Sequence, residues 1–295
     1  MTLPDKIRDL PCWTGTPSGA PLSGGLSNEI WKVSDDTGDH VVRFGTDYPM
    51  HHVDRARELM STRAAHAAGF SPAVEYAALG VMVTAFVPSR TWEAADMRAN
   101  PDRMADLLHR FHTTMAHHIS GTAHFFWVFH VIRDYARTLA EGNSRFAADL
   151  PRFLDLSQQM EAAQVPLPIV FAHNDLLPAN ILEDDTRLWL IDYEYAGYST
   201  PMFDLAGVAS NSEMGPDAAQ ELLTCYFGSA PDAALMRAFD AMQCASLLRE
   251  AMWAMVSELH LSAPGVDYVA YAHENLDRLT AALDRYYTTY GKDVS

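Results

Sequence analysis

Over the first third of the chain, short runs rich in β-branched and aromatic residues alternate with polar clusters. NEIWKVSDD (28–36) and HVVRFG (40–45) have strand composition, and DDTGD (35–39) between them reads as a hairpin turn. HVDRARELMSTRAAHAAG (52–69) instead spaces Ala, Leu and Met as a helix does, with Gly69 as its stop. AVEYAAL (73–79) and VMVTAFV (81–87) return to strand composition before Pro88. Strand, strand, helix, strand, strand predicts a small twisted antiparallel sheet with one main helix against it.

From about residue 93 the period changes to that of helices. Six segments carry it: 101–115, 131–141, 155–164, 217–227, 232–259 and 268–290. Only LPIVFAH (167–173) and RLWLIDYE (187–194) interrupt them with strand-like runs. The expectation is an α+β protein of two lobes, a β-rich N-terminal one over residues 1–86 and a mostly helical C-terminal one over 87–295.

At 295 residues, 48% hydrophobic and 20% charged, the chain can bury a sizeable core. No apolar run nears the roughly 20 residues that cross a bilayer, and the N-terminus lacks a signal peptide's apolar stretch, so no membrane insertion is expected. Cys12, Cys225 and Cys244 are odd in number and widely spaced, which suits a reducing cytoplasm rather than a disulfide framework or a zinc site. A net charge of −17 repels nucleic acid and anionic membranes and leaves a small cationic substrate compatible.

The chemistry concentrates in residues 170–197, where polar side chains sit between strongly apolar runs. In HNDLLPANIL (173–182) Asp175 precedes Asn180 by five residues, in a loop that Pro178 keeps from being regular helix. Asp192 then follows a strand, beyond a turn at EDDTR (183–187). If the strands pair as a hairpin, two carboxylates and an amide oxygen converge. That donor set suits a hard divalent cation and leaves one carboxylate free to take a proton. Protein kinases space their catalytic Asp, their metal-binding Asn and a later metal-binding Asp in the same way. Turn capping is the alternative for any one of these residues.

HNDLLPANIL followed by LIDYEYAGYSTPMFDLA (190–206) resembles the two signature motifs of the choline/ethanolamine kinase family, within the aminoglycoside-phosphotransferase and protein-kinase-like fold. The resemblance implies ATP and Mg²⁺, with Asp175 as catalytic base and Asn180 and Asp192 as Mg²⁺ ligands. His173 and Asp204 would support the loop; a helix N-cap is the other reading of Asp204. The parts follow in order over residues 22–275. Ser23, Gly24 and Gly25 form a turn whose N–H groups would approach phosphate. Arg43 stands where protein kinases place a phosphate-contacting lysine, as choline kinases resemble it in doing. Glu58 would orient Arg43, with an exposed surface ion pair as its alternative. TAFVPSRTW (84–92) resembles the lobe-connecting hinge, whose backbone from Thr84 to Phe86 would meet an adenine edge.

For the acceptor, Trp253 and Tyr271 fall on positions that are aromatic in the family's choline pocket, core packing being the alternative. Glu250 stands where relatives carry a second ring, and Glu194, Glu250 or Glu213 would supply negative charge. Trp127, Phe129 and Tyr135 read as interior packing, and His109 and His112 lack a third ligand for a metal. The reading is an ATP-dependent kinase for a small cationic alcohol, choline first. Ethanolamine, thiamine or an aminoglycoside are the alternative acceptors, and a catalytically silent binder of cationic metabolites is the alternative of another class.

Overall fold

The computed structural model describes residues 3–22, 29–261 and 265–292. Helix α1 (Asp5–Arg8) leads into strands β1 (Ser18–Pro21), β2 (Glu29–Asp35) and β3 (Gly38–Phe44). Helix α2 (Arg55–Ala67) and strands β4 (Val74–Ala78) and β5 (Val81–Ala85) complete the region. The strands form one antiparallel sheet in the order β1-β2-β3-β5-β4. The expected strand and helix order holds, with β1 added at the sheet edge.

Local chemistry sets the turns. Asp35 closes the β2–β3 hairpin by accepting from the Thr37 N–H at 2.7 Å and the Thr37 hydroxyl at 2.6 Å, an Asx-type turn. Asp54 caps α2 by accepting from the Arg57 N–H at 2.9 Å, which satisfies one of the donors a helix start leaves open. Trp31, Val33, Val42 and Val83 line one sheet face and pack with Ile7 of α1. Ala64 and Ala65 of α2 join a different and larger core, the one the C-terminal helices build. Sheet and helix are thus anchored in separate apolar clusters.

The remaining elements are β6 (Arg90–Thr91), α3 (Ala94–Ala99), α4 (Pro101–Thr114), α5 (Val128–Glu141), α6 (Leu150–Ala162), β7 (Val170–Ala172), β8 (Ile181–Glu183), β9 (Leu188–Leu190), β10 (Gly197–Ser199), α7 (Met202–Ser212), α8 (Pro216–Phe227), α9 (Ala233–His260) and α10 (Tyr268–Tyr290). The six periodic segments are α4, α5, α6, α8, α9 and α10. Helix α7 escapes a periodicity search because ten of its eleven residues are buried, so it has no polar face to set a phase. Phe129 and Tyr135 lie in the large core as expected, while the half-buried Trp127 donates its indole N–H to Glu161 at 2.7 Å.

Strand pairing around the polar stretch differs from a single hairpin. β8 and β9 form the hairpin across residues 184–187, whereas β7 pairs with β10, Ala172 opposite Gly197. Gly197 is required there: a Cβ would lie 2.9 Å from the His124 carbonyl oxygen. Among the described residues no helix is long and apolar enough to cross a membrane.

Candidate active site

Asp175 lies just past β7, in a loop held from three sides. Asn174 has φ +62°, a left-handed turn that asparagine tolerates and that reverses the chain before Asp175. Its side-chain amide donates to the Tyr195 carbonyl at 3.1 Å and the Gly197 carbonyl at 3.3 Å. Asp204 accepts from the His173 N–H at 2.8 Å and the Asn174 N–H at 2.7 Å. It is not the N-cap of α7, whose cap position is Pro201; the carboxylate turns away from its own helix to hold the loop. His112 donates its Nε2–H to the same carboxylate at 2.9 Å and faces the Tyr226 hydroxyl through Nδ1 at 2.8 Å. Burial pushes the Asp204 carboxyl up, but the His112 hydrogen bond and charge outweigh it and leave it below the ordinary carboxylate range.

The hairpin supplies the second half of the site. The Ile191 N–H donates to the Asn180 carbonyl at 3.0 Å, which fixes Asp192 one residue beyond that bond. The imidazole of His173 donates to the Ile191 carbonyl at 2.9 Å, tying the two segments together. Asn180 donates its amide to the Asp175 carbonyl at 2.8 Å, which leaves its side-chain oxygen as the atom able to meet a cation. Asp192 has φ +67°, in the left-handed region that aspartate, like asparagine, enters more readily than most residues, and its side chain is 31% exposed. Two oxygen donors on loops that hydrogen bonds have already fixed fit a hard divalent ion.

Arg43 on β3 donates to Asp192 at 3.3 Å and to Glu58 of α2. Glu58 is only 2% exposed, which rules out the surface reading and leaves the orienting one. Arg55, unanticipated from sequence, donates to the second oxygen of Glu58 at 2.7 Å and to Glu194 at 2.9 Å. Burial pushes Glu194 up, reinforced by Asp192 and opposed by Arg55 and Arg43. Of the other nucleotide-site expectations, Ser23, Gly24 and Gly25 lie outside the described residues. The Phe86 N–H is already committed to the Asp39 carbonyl at 2.9 Å, and Thr84 sits between Val41 and Val74 inside the sheet. Neither residue has its N–H and C=O free for an adenine edge. Val87, the next residue, has no partner for its N–H among the described residues.

On the other side of Asp175 stands Arg249 of α9, 3.8 Å away and nearly enclosed. Burial pushes the Asp175 carboxyl well above its ordinary value, and Arg249 works against that rise. Arg249 also donates to Glu250 at 2.8 Å, and Glu250 accepts from the Tyr271 hydroxyl at 2.8 Å. Trp253 donates its indole N–H to the Tyr195 hydroxyl at 3.1 Å. Asp175, Glu250, Trp253 and Tyr271 are therefore brought together as expected. Glu213 is not with them: it is exposed and 3.7 Å from Arg278. Arg249 and Tyr195 are additions. Arg249 had one sequence signal, because it lies four residues before Trp253 on a buried stripe of α9 whose other members, from Ala238 to Ser257, are uncharged.

A model of the choline/ethanolamine kinase family matches residues 20–223. The chain belongs to the choline/ethanolamine kinase family. It is 28% identical over 287 residues to a probable ethanolamine kinase of Arabidopsis thaliana, covering 85% of this chain and 75% of that protein. Protein LicA of Haemophilus influenzae is 26% identical over 211 residues, 69% of this chain and 61% of LicA. The crystal structure of a choline/ethanolamine kinase family protein from Mesorhizobium loti superimposes with a TM-score of 0.75 at 26% identity, over 98% of this chain and 97% of the other. As a choline/ethanolamine kinase family member, the protein is a phosphotransferase that acts on an alcohol hydroxyl, and the family's acceptors are amino alcohols.

Proposed function

We propose that the protein transfers the γ-phosphoryl group of ATP, with Mg²⁺, to the hydroxyl of a small cationic amino alcohol. The observation that carries this reading is the convergence of Asp175, Asn180, Asp192 and Arg43, which come from three separate stretches of chain, around one loop and one hairpin. Asn180 and Asp192 would hold Mg²⁺, which would neutralise and orient the phosphates when bound. Asp175 accepts the hydroxyl proton at its carboxylate and so raises the nucleophilicity of the alcohol oxygen. Arg43, locked by Glu58, offsets phosphate charge without being able to give up its own proton. His173 and Asp204 act on none of the reacting atoms; they hold the loop on which Asp175 is mounted. Phosphoryl transfer depends mainly on such positioning and charge compensation.

The family resemblance puts choline first among acceptors. One observation favours ethanolamine instead: a carboxylate, Glu250, sits beside Tyr271 where a ring would complete a cage. An ATP-consumption screen with and without Mg²⁺, across choline, ethanolamine, thiamine and several aminoglycosides, tests the reading. Mg²⁺-dependent turnover of an amino alcohol is expected. Turnover restricted to an aminoglycoside would contradict it.

A further inference from the structure

The cation that faces the aromatic side chains beside Asp175 is the protein's own. The Arg249 guanidinium carbon lies 4.5 Å from the centroid of the Tyr195 ring, the place a substrate ammonium would take for a cation–π contact. Trp253 is also spoken for. His51 covers it at 5.3 Å between ring centroids, and Tyr268 and Tyr271 close on it edge-on at 6.0 and 6.3 Å. Among the described residues, both rings thus already carry these neighbours where a trimethylammonium group would have to lie.

Stability does not explain why an arginine is there. Its side chain is 4% exposed, and its Nε and Nη2 have no hydrogen-bond partner among the described residues. A buried cation with unsatisfied donors is a poor stabiliser compared with an apolar side chain of the same size. What Arg249 does achieve is placement. One nitrogen, Nη1, lies 2.8 Å from Glu250 and 3.8 Å from Asp175, so the two carboxylates flank a single atom. Both keep an exposed edge, 15% for Glu250 and 14% for Asp175. Each Glu250 oxygen has accepted one hydrogen bond, Oε2 from Arg249 and Oε1 from Tyr271, and each retains a lone pair.

Resting on the reading of this site as an amino-alcohol kinase, we infer that Arg249 is a specificity-determining residue. It fills the cation seat on Tyr195 and leaves the acceptor's head group to the Glu250 carboxylate, which selects a nitrogen that still carries N–H bonds. A primary ammonium can donate to both Glu250 oxygens while its hydroxyl, two carbons away, meets Asp175. A trimethylammonium has no N–H to donate and would strip water from Glu250 without replacing those hydrogen bonds.

The test is a methylation series, kcat/KM for ethanolamine, N-methylethanolamine, N,N-dimethylethanolamine and choline, on the wild-type chain, Arg249→Met and Glu250→Gln. Wild-type efficiency falls at each added methyl, by at least about a hundredfold from ethanolamine to choline. Arg249→Met takes the resident cation off the Tyr195 ring and narrows that ratio at least about tenfold; taking the ratio cancels any general effect on Asp175. Glu250→Gln raises KM for ethanolamine by more than it raises KM for choline, so it carries the test if Arg249→Met does not fold. Choline equal to or better than ethanolamine in the wild type overturns the inference and leaves the kinase reading standing. An unchanged ratio in the folded variants overturns it as well. No turnover of any of the four acceptors removes the kinase reading and this inference with it.

Discussion

Arg43 of β3 reaches Asp192 across 3.3 Å, and this contact joins the N-terminal sheet to the loop beyond the β8–β9 hairpin. The same guanidinium is held by Glu58, which also holds Arg55. Two nearly buried cations therefore depend on one buried carboxylate.

Glu58→Ala should be costly on both counts. Removing one partner of a buried ion pair typically costs about 3–5 kcal/mol; Arg43 keeps Asp192 and Arg55 keeps Glu194, so the loss here should lie toward the lower end. Urea unfolding should show a free energy of unfolding lowered by that order, with the midpoint shifted down accordingly. The KM for ATP should rise by about tenfold or more, since Arg43 is freed from its position. A normal KM would mean that Arg43 does not meet the nucleotide.

Asp204→Ala should destabilise through the loop rather than the helix. It strands the N–H groups of His173 and Asn174 and the Nε2–H of His112, all buried. Each unsatisfied buried donor costs about 1–3 kcal/mol, so a loss of several kcal/mol is expected, with turnover falling in step as Asp175 loses its mount. Asp204→Asn keeps part of the acceptor set and should lose less. Calorimetric melting of the two variants ranks them; equal melting temperatures for Asp204→Ala and the wild type would contradict the loop-holding role.

Acid should unfold the protein partly through His51. It is buried between Tyr135, at 3.2 Å, and Ser257, at 3.1 Å, and burial, with Arg249 adding to it, pushes its pKa down to about 3 from an ordinary 6.5. The unfolded chain takes up a proton below about 6.5 and the folded one does not until about 3. Its contribution is thus complete above pH 6.5 and is lost progressively as pH falls toward 3, at up to about 1.4 kcal/mol per pH unit. His51→Gln should flatten that slope in unfolding measurements between pH 6.5 and 4; an unchanged slope would assign the acid sensitivity elsewhere.

The sequence made the clustering of the candidate site legible because its spacing is local. Asp175, Asn180 and Asp192 fall within one loop and one hairpin, and a polar residue between apolar strands has few structural uses. Arg43 and Glu58 were singled out by the family resemblance, on the strand and helix where its pattern places them. Residues whose partners lie far along the chain were not. Arg55 reads as an ordinary surface arginine until α2 is set against Glu194, and Arg249 is hidden in a long apolar helix. The commitment of the Phe86 N–H to Asp39 depends on a strand pairing that composition does not reveal. The β7–β10 pair was missed because strands of three residues carry no alternation to detect.

The central claim is that Asp175 takes a proton from an amino alcohol while Arg43, Asn180 and Asp192 manage the phosphates. Phosphorus NMR of reactions containing MgATP and ethanolamine or choline tests it directly, with the wild-type chain compared with Asp175→Asn. A phosphomonoester signal should grow with ADP in the wild type. In Asp175→Asn that signal should form at least about a thousandfold more slowly, with ATP affinity within a fewfold of normal. Phosphomonoester formation at an undiminished rate in Asp175→Asn would contradict it.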